Sequence, residues 1–403
     1  MKIWIVNHYA VTPDEAGGTR HFTFAKALQE RGHEPVIVAS NYNHFSFQPR
    51  HTGLTVAKFE IVDGIPFVWI PTRDYVGNGR GRMLNMIDFG RNLRQMLPLQ
   101  EVPHPDVILG SSPHLFAPFQ AQKLARRLRV PFVLEIRDVW PQTLVDLGNF
   151  SESSLPIRVL AWMERRLYRS ADHIVSLLPG APDHCVSLGA KRERTTWIPN
   201  GVDLSLIPSE SPLPTNEQFT ITFAGAHGLA NGLDTVLDAA RLVESEKILF
   251  RLIGDGPEKN RLVQRKEDEG IKNVEFLDAV PKSRIYSWLS QSDAFVMLLK
   301  ASDVFRWGVS PNKLFDYMAS QRPVIFAVNS SNSPVEEAQC GIRIEPDNPD
   351  ALAKAARQLK DLSPNERLEM GQRGRDYVVN NHGFEGLTDR LENVFESVLR
   401  QKS

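Results

Sequence analysis

The chain has 403 residues, 47 Lys/Arg against 48 Asp/Glu, 42% hydrophobic residues and 9% aromatics. That length suits two domains of about 200 residues each, and the charge balance argues against a general nucleic-acid binder, which would show a basic excess. Two cysteines, Cys185 and Cys340, are too few for a disulfide framework and suit a reducing, cytoplasmic compartment. The apolar run Ile3-Trp4-Ile5-Val6 is too short for a signal-peptide core, and no uninterrupted apolar stretch is long enough for a membrane span.

Charge is distributed unevenly. Residues 1–200 carry a net +5 and residues 201–403 a net −6, so the first half suits an anionic partner better than the second. In chain order, residues 2–7 read as a buried strand, 19–31 as a helix and 35–39 as a second strand. Further strands are expected at 106–109, 132–136 and 173–177. A second series starts at 219–224 and continues at 248–253, 274–276, 294–299 and 324–326, with helices at 233–245 and 257–268 between them. Strands alternating with long helices indicate parallel sheets covered on both faces. The Pro/Ser-rich stretch 207–214 separates the two series and is the expected hinge. The predicted class is α/β, with two Rossmann-like, doubly wound domains facing a central cleft: residues 1–204, residues 205–382, and a terminal helix from 383. That helix carries an apolar stripe of Phe384, Leu387, Leu391, Phe395 and Leu399, and is expected to cross back to the first domain.

Several segments carry chemistry. Ala16-Gly17-Gly18 opens the first helix, where glycines admit close backbone approach and free N–H groups suit an anion. In Gly308-Val309-Ser310-Pro311-Asn312-Lys313, Ser310 and Pro311 are expected to start a helix. Lys313 then falls in its first turn, where a cation is unfavourable unless something negative sits beside it. A diphosphate would supply that charge, and Asp316, on the same face, could accept hydrogen bonds from ribose hydroxyls. The alternative is an ordinary (i, i+3) surface pair worth roughly 0.2–0.5 kcal/mol. Three more segments follow the same logic: Pro199-Asn200-Gly201-Val202-Asp203, the loop from Gly225 to Asp234, and Gly254-Asp255-Gly256 at a strand end.

In this order and spacing these segments resemble retaining glycosyltransferases of family 4 with the GT-B fold, in particular the WbuB-type amino-sugar transferases of O-antigen and capsule assembly. The resemblance covers essentially the whole chain. It implies a nucleotide-sugar donor, UDP-linked, in the second domain and a lipid-linked or saccharide acceptor in the first. It places Gly17, Gly18, Gly225, Asn231, Gly254, Gly256, Arg306, Ser310, Asn312, Lys313 and Asp316 on the donor, with the backbone of Val280 reading the base. His114 would face the reacting sugar. Asp138 is the candidate to orient the acceptor hydroxyl, though a strand-end acid paired with Arg137 would look the same. The chain departs from the family at three places: Gly308 stands where the first acid of an acidic pair belongs, and Ala226 and Asn231 stand where two phosphate-clamping cations belong.

The helical stretches 79–96 and 158–169 mix arginines with apolar residues and suit contact with the cytoplasmic face of a membrane, although solvated arginines on ordinary helices look the same. A UDP-sugar epimerase and a non-catalytic sugar-nucleotide binder are the competing readings; neither a nucleic-acid partner nor a cofactor is implied. No Asp-x-Asp and no His/Cys cluster marks a metal site, so the leaving diphosphate must be met by fixed donors and cations. Transfer should therefore survive EDTA. Loss of turnover in EDTA, restored by Mn²⁺ or Mg²⁺, would contradict that.

Overall fold

A computed structural model describes the chain except Ala16, Phe45, Asn78, Asn149, residues 209–213, Thr215, Asn216, Pro281, Lys402 and Ser403. Two compact units result, Met1–Asn200 with Phe384–Ser403, and Gly201–Gly383. Most of the expected hinge at 207–214 lies outside the described residues.

The first unit is built on β1 (Lys2–Val6), β2 (Glu34–Ser40), a short ribbon β3 (Tyr42–Asn43) and β4 (Gln48–Pro49), β5 (Lys58–Val62), β6 (Ile65–Ile70), β7 (Val107–Ser111), β8 (Phe132–Ile136), β9 (His173–Ser176) and β10 (Thr195–Trp197). Its main sheet runs β10-β9-β8-β7-β1-β2-β6-β5. All pairings are parallel except β5 with β6. Those two strands are joined by Asp63-Gly64, both at positive φ (+48° and +82°), the signature of a tight hairpin whose turn matches strand twist. The central strands are buried on both faces, so they read as continuous apolar runs rather than alternating ones.

Helices Phe116–Leu128 and Leu155–Ser170 cover one face of this sheet, and Arg20–Glu30 together with the terminal helix Phe384–Arg400 cover the other. The terminal helix buries Leu387, Leu391, Val394, Phe395 and Val398. Phe384 meets Phe24 edge to face, with ring centroids 5.1 Å apart. Glu392 accepts from Arg31 at 2.9 Å and pairs with His33 at 2.8 Å. Of the stripe read from the sequence, Leu387, Leu391 and Phe395 enter the first unit's core and Phe384 packs against it, whereas Leu399 is only half-buried.

The second unit contains β11 (Phe219–Ala224), β12 (Ile248–Ile253), β13 (Val274–Leu277), β14 (Ala294–Leu298), β15 (Val324–Ala327) and β16 (Gly341–Ile344). They are ordered β13-β12-β11-β14-β15-β16, all parallel. Numbered within the unit this is 3-2-1-4-5-6, the doubly wound order. Helix Pro364–His382, started by a Ser363/Glu366 capping box, packs on helix Asn312–Ala319. A Cβ on Gly371 would stand 2.2 Å from the Gln321 carbonyl oxygen, so only glycine lets the two elements approach this closely.

Candidate functional site

In the second unit the strand order reverses between β11 and β14. In open α/β sheets, ligands bind beyond the carboxyl ends of the strands at such a point. Helix Asn312–Ala319 reaches this place and is fixed there by its own residues. The Tyr317 hydroxyl accepts from the Ala224 N–H at 2.7 Å and donates to the Ala224 carbonyl at 2.9 Å, and its ring stacks on Phe295. Phe315 stacks on His382 with centroids 3.8 Å apart. The helix begins at Asn312 with Pro311, extended, in the cap position and no side-chain cap. Ser310 therefore lies ahead of the helix and does not cap it.

Lys313 points from the first turn toward the loop after β11. Its Nζ donates to Asn231 Oδ1 at 2.6 Å and sits 4.3 Å from the centre of the Phe223 ring. Gly225 lies against it, since a Cβ there would be 3.3 Å from Nζ. Asn231 is oriented in turn by donating to the Ala226 carbonyl at 2.8 Å. Among the described residues no carboxylate pairs with Lys313, and burial pushes its ammonium down to about 7. Asn231, read from the sequence as a lost cation, is the residue that holds this one.

Asp316 is only 8% exposed, and one of its oxygens accepts from the Tyr286 hydroxyl at 2.7 Å. Burial and the neighbouring carboxylate together push the Tyr286 phenol well above its ordinary range. No motif flagged Tyr286, because its link to Asp316 spans 30 positions. Val280 is half-buried beyond β13. Arg306 is exposed, lies 3.8 Å over the Trp307 ring and donates to the Asp303 carbonyl. Gly308 has φ +95° and ψ 177°, a conformation open essentially only to glycine. The acid expected there could not be restored without backbone strain.

Gly254 and Gly256 lie tightly against the neighbouring loop. A Cβ on Gly254 would fall 1.9 Å from the Gly225 carbonyl oxygen, and one on Gly256 would fall 2.6 Å from that of His227. What comes close is the neighbouring loop, which continues the β11–β12 pairing through Gly225 N–H to Ile253 O and His227 N–H to Asp255 O. His227 between them is fully buried, neither ring nitrogen has a hydrogen-bond partner among the described residues, and burial lowers it to about 4.

In the first unit Gly17 is exposed and Gly18 half-buried just before helix Arg20–Glu30. The helix's first cation is already neutralised. Arg20 donates to Glu135 at 2.9 Å and to the carbonyls of Ile198 and Pro199, while His21 and Ser111 converge on the same buried carboxylate. Despite full burial, these partners hold the Glu135 carboxyl well below its usual range. His114 is 1% exposed. Its Nε2 lies 2.7 Å from His8 Nδ1, and its Nδ1 accepts from the Ala117 N–H at 3.4 Å. Both ring nitrogens are therefore engaged within this unit. Asp138 is exposed after β8. Among the described residues no group of His, Cys, Asp and Glu side chains has the arrangement of a metal site.

The loop contact generates a stability prediction. Gly254→Ala should lower the second unit's stability by about 3 kcal/mol, combining overpacking with unfavourable φ. Gly270→Ala, at φ +66° with nothing within 4 Å, should cost only about 1 kcal/mol. Denaturant unfolding followed by hydrogen exchange in each unit separates the two. Equal losses would show that the loops do not touch as described.

Comparison with known proteins places these features. Residues 17–201 match the glycosyl transferase 4-like domain, and residues 218–361 match the glycosyl transferases group 1 domain. WcaI of Escherichia coli (strain K12), assigned by name to colanic acid biosynthesis as a glycosyl transferase, is 22% identical over 296 residues, covering 69% of this chain and 72% of that protein. WbjE of Pseudomonas aeruginosa, named as a glycosyltransferase, is 24% identical over 269 residues, 64% of this chain and 66% of that one. In architecture the chain is similar to sucrose-phosphate synthase from Thermosynechococcus elongatus, with a TM-score of 0.78 at 14% identity over 99% of both chains. It is also similar to HepE of Anabaena, solved with UDP and glucose, with a TM-score of 0.69 at 15% identity over 98% of this chain and 100% of that one. With both domain matches in sequence order and both sheets of the matching architecture, the chain is a glycosyltransferase of the GT-B fold.

Proposed function

We propose that the protein is a retaining transferase that moves an N-acetylated amino sugar from a UDP-linked donor to a lipid-linked or saccharide acceptor in surface-polysaccharide assembly, in contact with the cytoplasmic face of a membrane. The observation that carries the donor assignment is Lys313, an ammonium desolvated at a helix start, at the switch point, with no carboxylate among the described residues to neutralise it. An anion completes such a site, and a sugar nucleotide brings a diphosphate. The UDP in the HepE structure and the colanic acid assignment of WcaI support the donor class and the pathway class.

In this reading the second unit takes the donor. Lys313 and the first N–H groups of helix Asn312–Ala319 hold the diphosphate, Asp316, oriented by Tyr286, takes the ribose hydroxyls, and the backbone at Val280 takes the base. Ser310, Asn312 and Arg306 reach toward the sugar from the segment around Gly308. The first unit takes the acceptor, with Gly17 and Gly18 offering backbone to phosphate, His114 facing the reacting sugar, and Asp138 orienting the attacking hydroxyl. The bond from the anomeric carbon to the phosphate oxygen breaks. The acceptor oxygen bonds to that carbon from the same face, and its proton passes to the departing phosphate. The chain's task is to stabilise the charge developing on the diphosphate with donors already in place, which is usually where most of an enzyme's rate enhancement comes from.

Removing a charge-assisted hydrogen bond costs about 1.5–3 kcal/mol, so Lys313→Ala should weaken both UDP and UDP-sugar by about 10- to 150-fold. Asp316→Asn should weaken uridine nucleotides more than their 2′-deoxy analogues. Calorimetric titration reads both, and NMR of the product's anomeric proton reads retention. Unchanged UDP affinity in folded Lys313→Ala would remove the donor assignment.

A further inference from the structure

Two neighbouring helices of the first unit present a one-signed, partly apolar face that the transfer chemistry does not use. On helix Leu155–Ser170, Leu155, Val159 and Trp162 are 73%, 48% and 56% exposed. Spaced at i, i+4 and i+7, they form one stripe, which Arg166 continues. Arg158, Arg165 and Arg169 form a second, parallel row beside it. Helix Phe116–Leu128 adjoins the stripe through Phe119, whose ring centroid is 5.7 Å from that of Trp162, and adds Lys123, Arg126 and Arg127, all exposed. The two helices thus carry seven cations. Their sole acid, Glu164, is 4% exposed and bound to His184 at 2.8 Å.

We propose that this face docks on an anionic lipid surface, Leu155, Val159 and Trp162 entering the headgroup boundary and the flanking arginines meeting lipid phosphates. The inference rests on the membrane contact proposed above and assigns it to a specific face. Nucleic acid would meet the cations but gives Leu155 and Val159 nothing to bury in, and a second copy would set like charges against like. The other basic stretch does not compete. Of its arginines, Arg82 turns onto Tyr9, and that helix's Asp88 is paired with Arg73 outside it.

Each cation near an anionic bilayer is worth about a five-fold gain in partitioning. The test is co-sedimentation of the full chain with vesicles of phosphatidylcholine containing phosphatidylglycerol, against phosphatidylcholine alone. Wild type should bind the anionic vesicles, less so at high salt. Arg165→Gln/Arg166→Gln should lose about 25-fold, Trp162→Ser should also weaken binding, and Arg91→Gln on the other helix should not. UDP affinity should be unchanged in all four proteins, which checks folding. No wild-type binding to anionic vesicles, or preference for duplex nucleic acid over them, would overturn the membrane contact itself. Binding that survives the Arg165/Arg166 and Trp162 changes would overturn the assignment to this face alone.

Discussion

An ammonium group taken out of water without a counter-ion is costly, and the second unit is organised around keeping one. Burial brings the Lys313 amine from 10.5 to about 7. Between those values the unfolded chain holds a proton that the folded chain does not. The residue's penalty is therefore full below pH 7 and recedes as pH rises toward 10.5. A protein selected only for stability would place a carboxylate at Asn231 or an apolar residue at Lys313. It has instead a neutral amide that fixes the amine in position without neutralising it.

The two units treat the cation at a helix start in opposite ways. In the first unit Arg20 is closed off by Glu135 and two backbone carbonyls, with His21 and Ser111 completing the same network. That helix start has spent its charge on its own fold. In the second unit Lys313 has no carboxylate partner among the described residues: Tyr317 clamps the helix to the end of β11, and Gly225 leaves room beside the amine. In the reading proposed above, the cation offered to a diphosphate thus lies in the second unit, although residues 1–200 have the more basic composition. The first unit's surplus sits on its outer helices, where Trp162 and its neighbouring arginines face solvent.

Much of this was legible in the sequence. Apolar runs alternating with helical periodicity point to both sheets and their class, and the Ser-Pro-Asn-Lys segment marks the helix Asn312–Ala319 that reaches the switch point. What escaped was pairing between distant residues. Glu135 reads as a strand residue until Arg20 and His21 are seen to meet it across more than a hundred positions. Tyr286 has no motif of its own. Asn231 reads as an absence because its role depends on Lys313, 82 residues away. Gly254 and Gly256 read as places where a ligand could approach; that the loop after β11 lies against both is something local composition does not reveal. The Asp63-Gly64 hairpin was available from turn chemistry alone.

With burial holding the Lys313 amine at about 7, a diphosphate bound beside it at pH 8 should restore its proton. Titrating UDP into the protein at pH 8 in two buffers of different ionisation enthalpy measures the protons taken up. UDP itself is fully ionised there, phosphate second ionisations lying near 6. The wild type should take up about one proton and Lys313→Met none, and Lys313→Met should also bind UDP more weakly. Equal proton counts for the two proteins, with affinity unchanged, would show that the diphosphate does not meet Lys313.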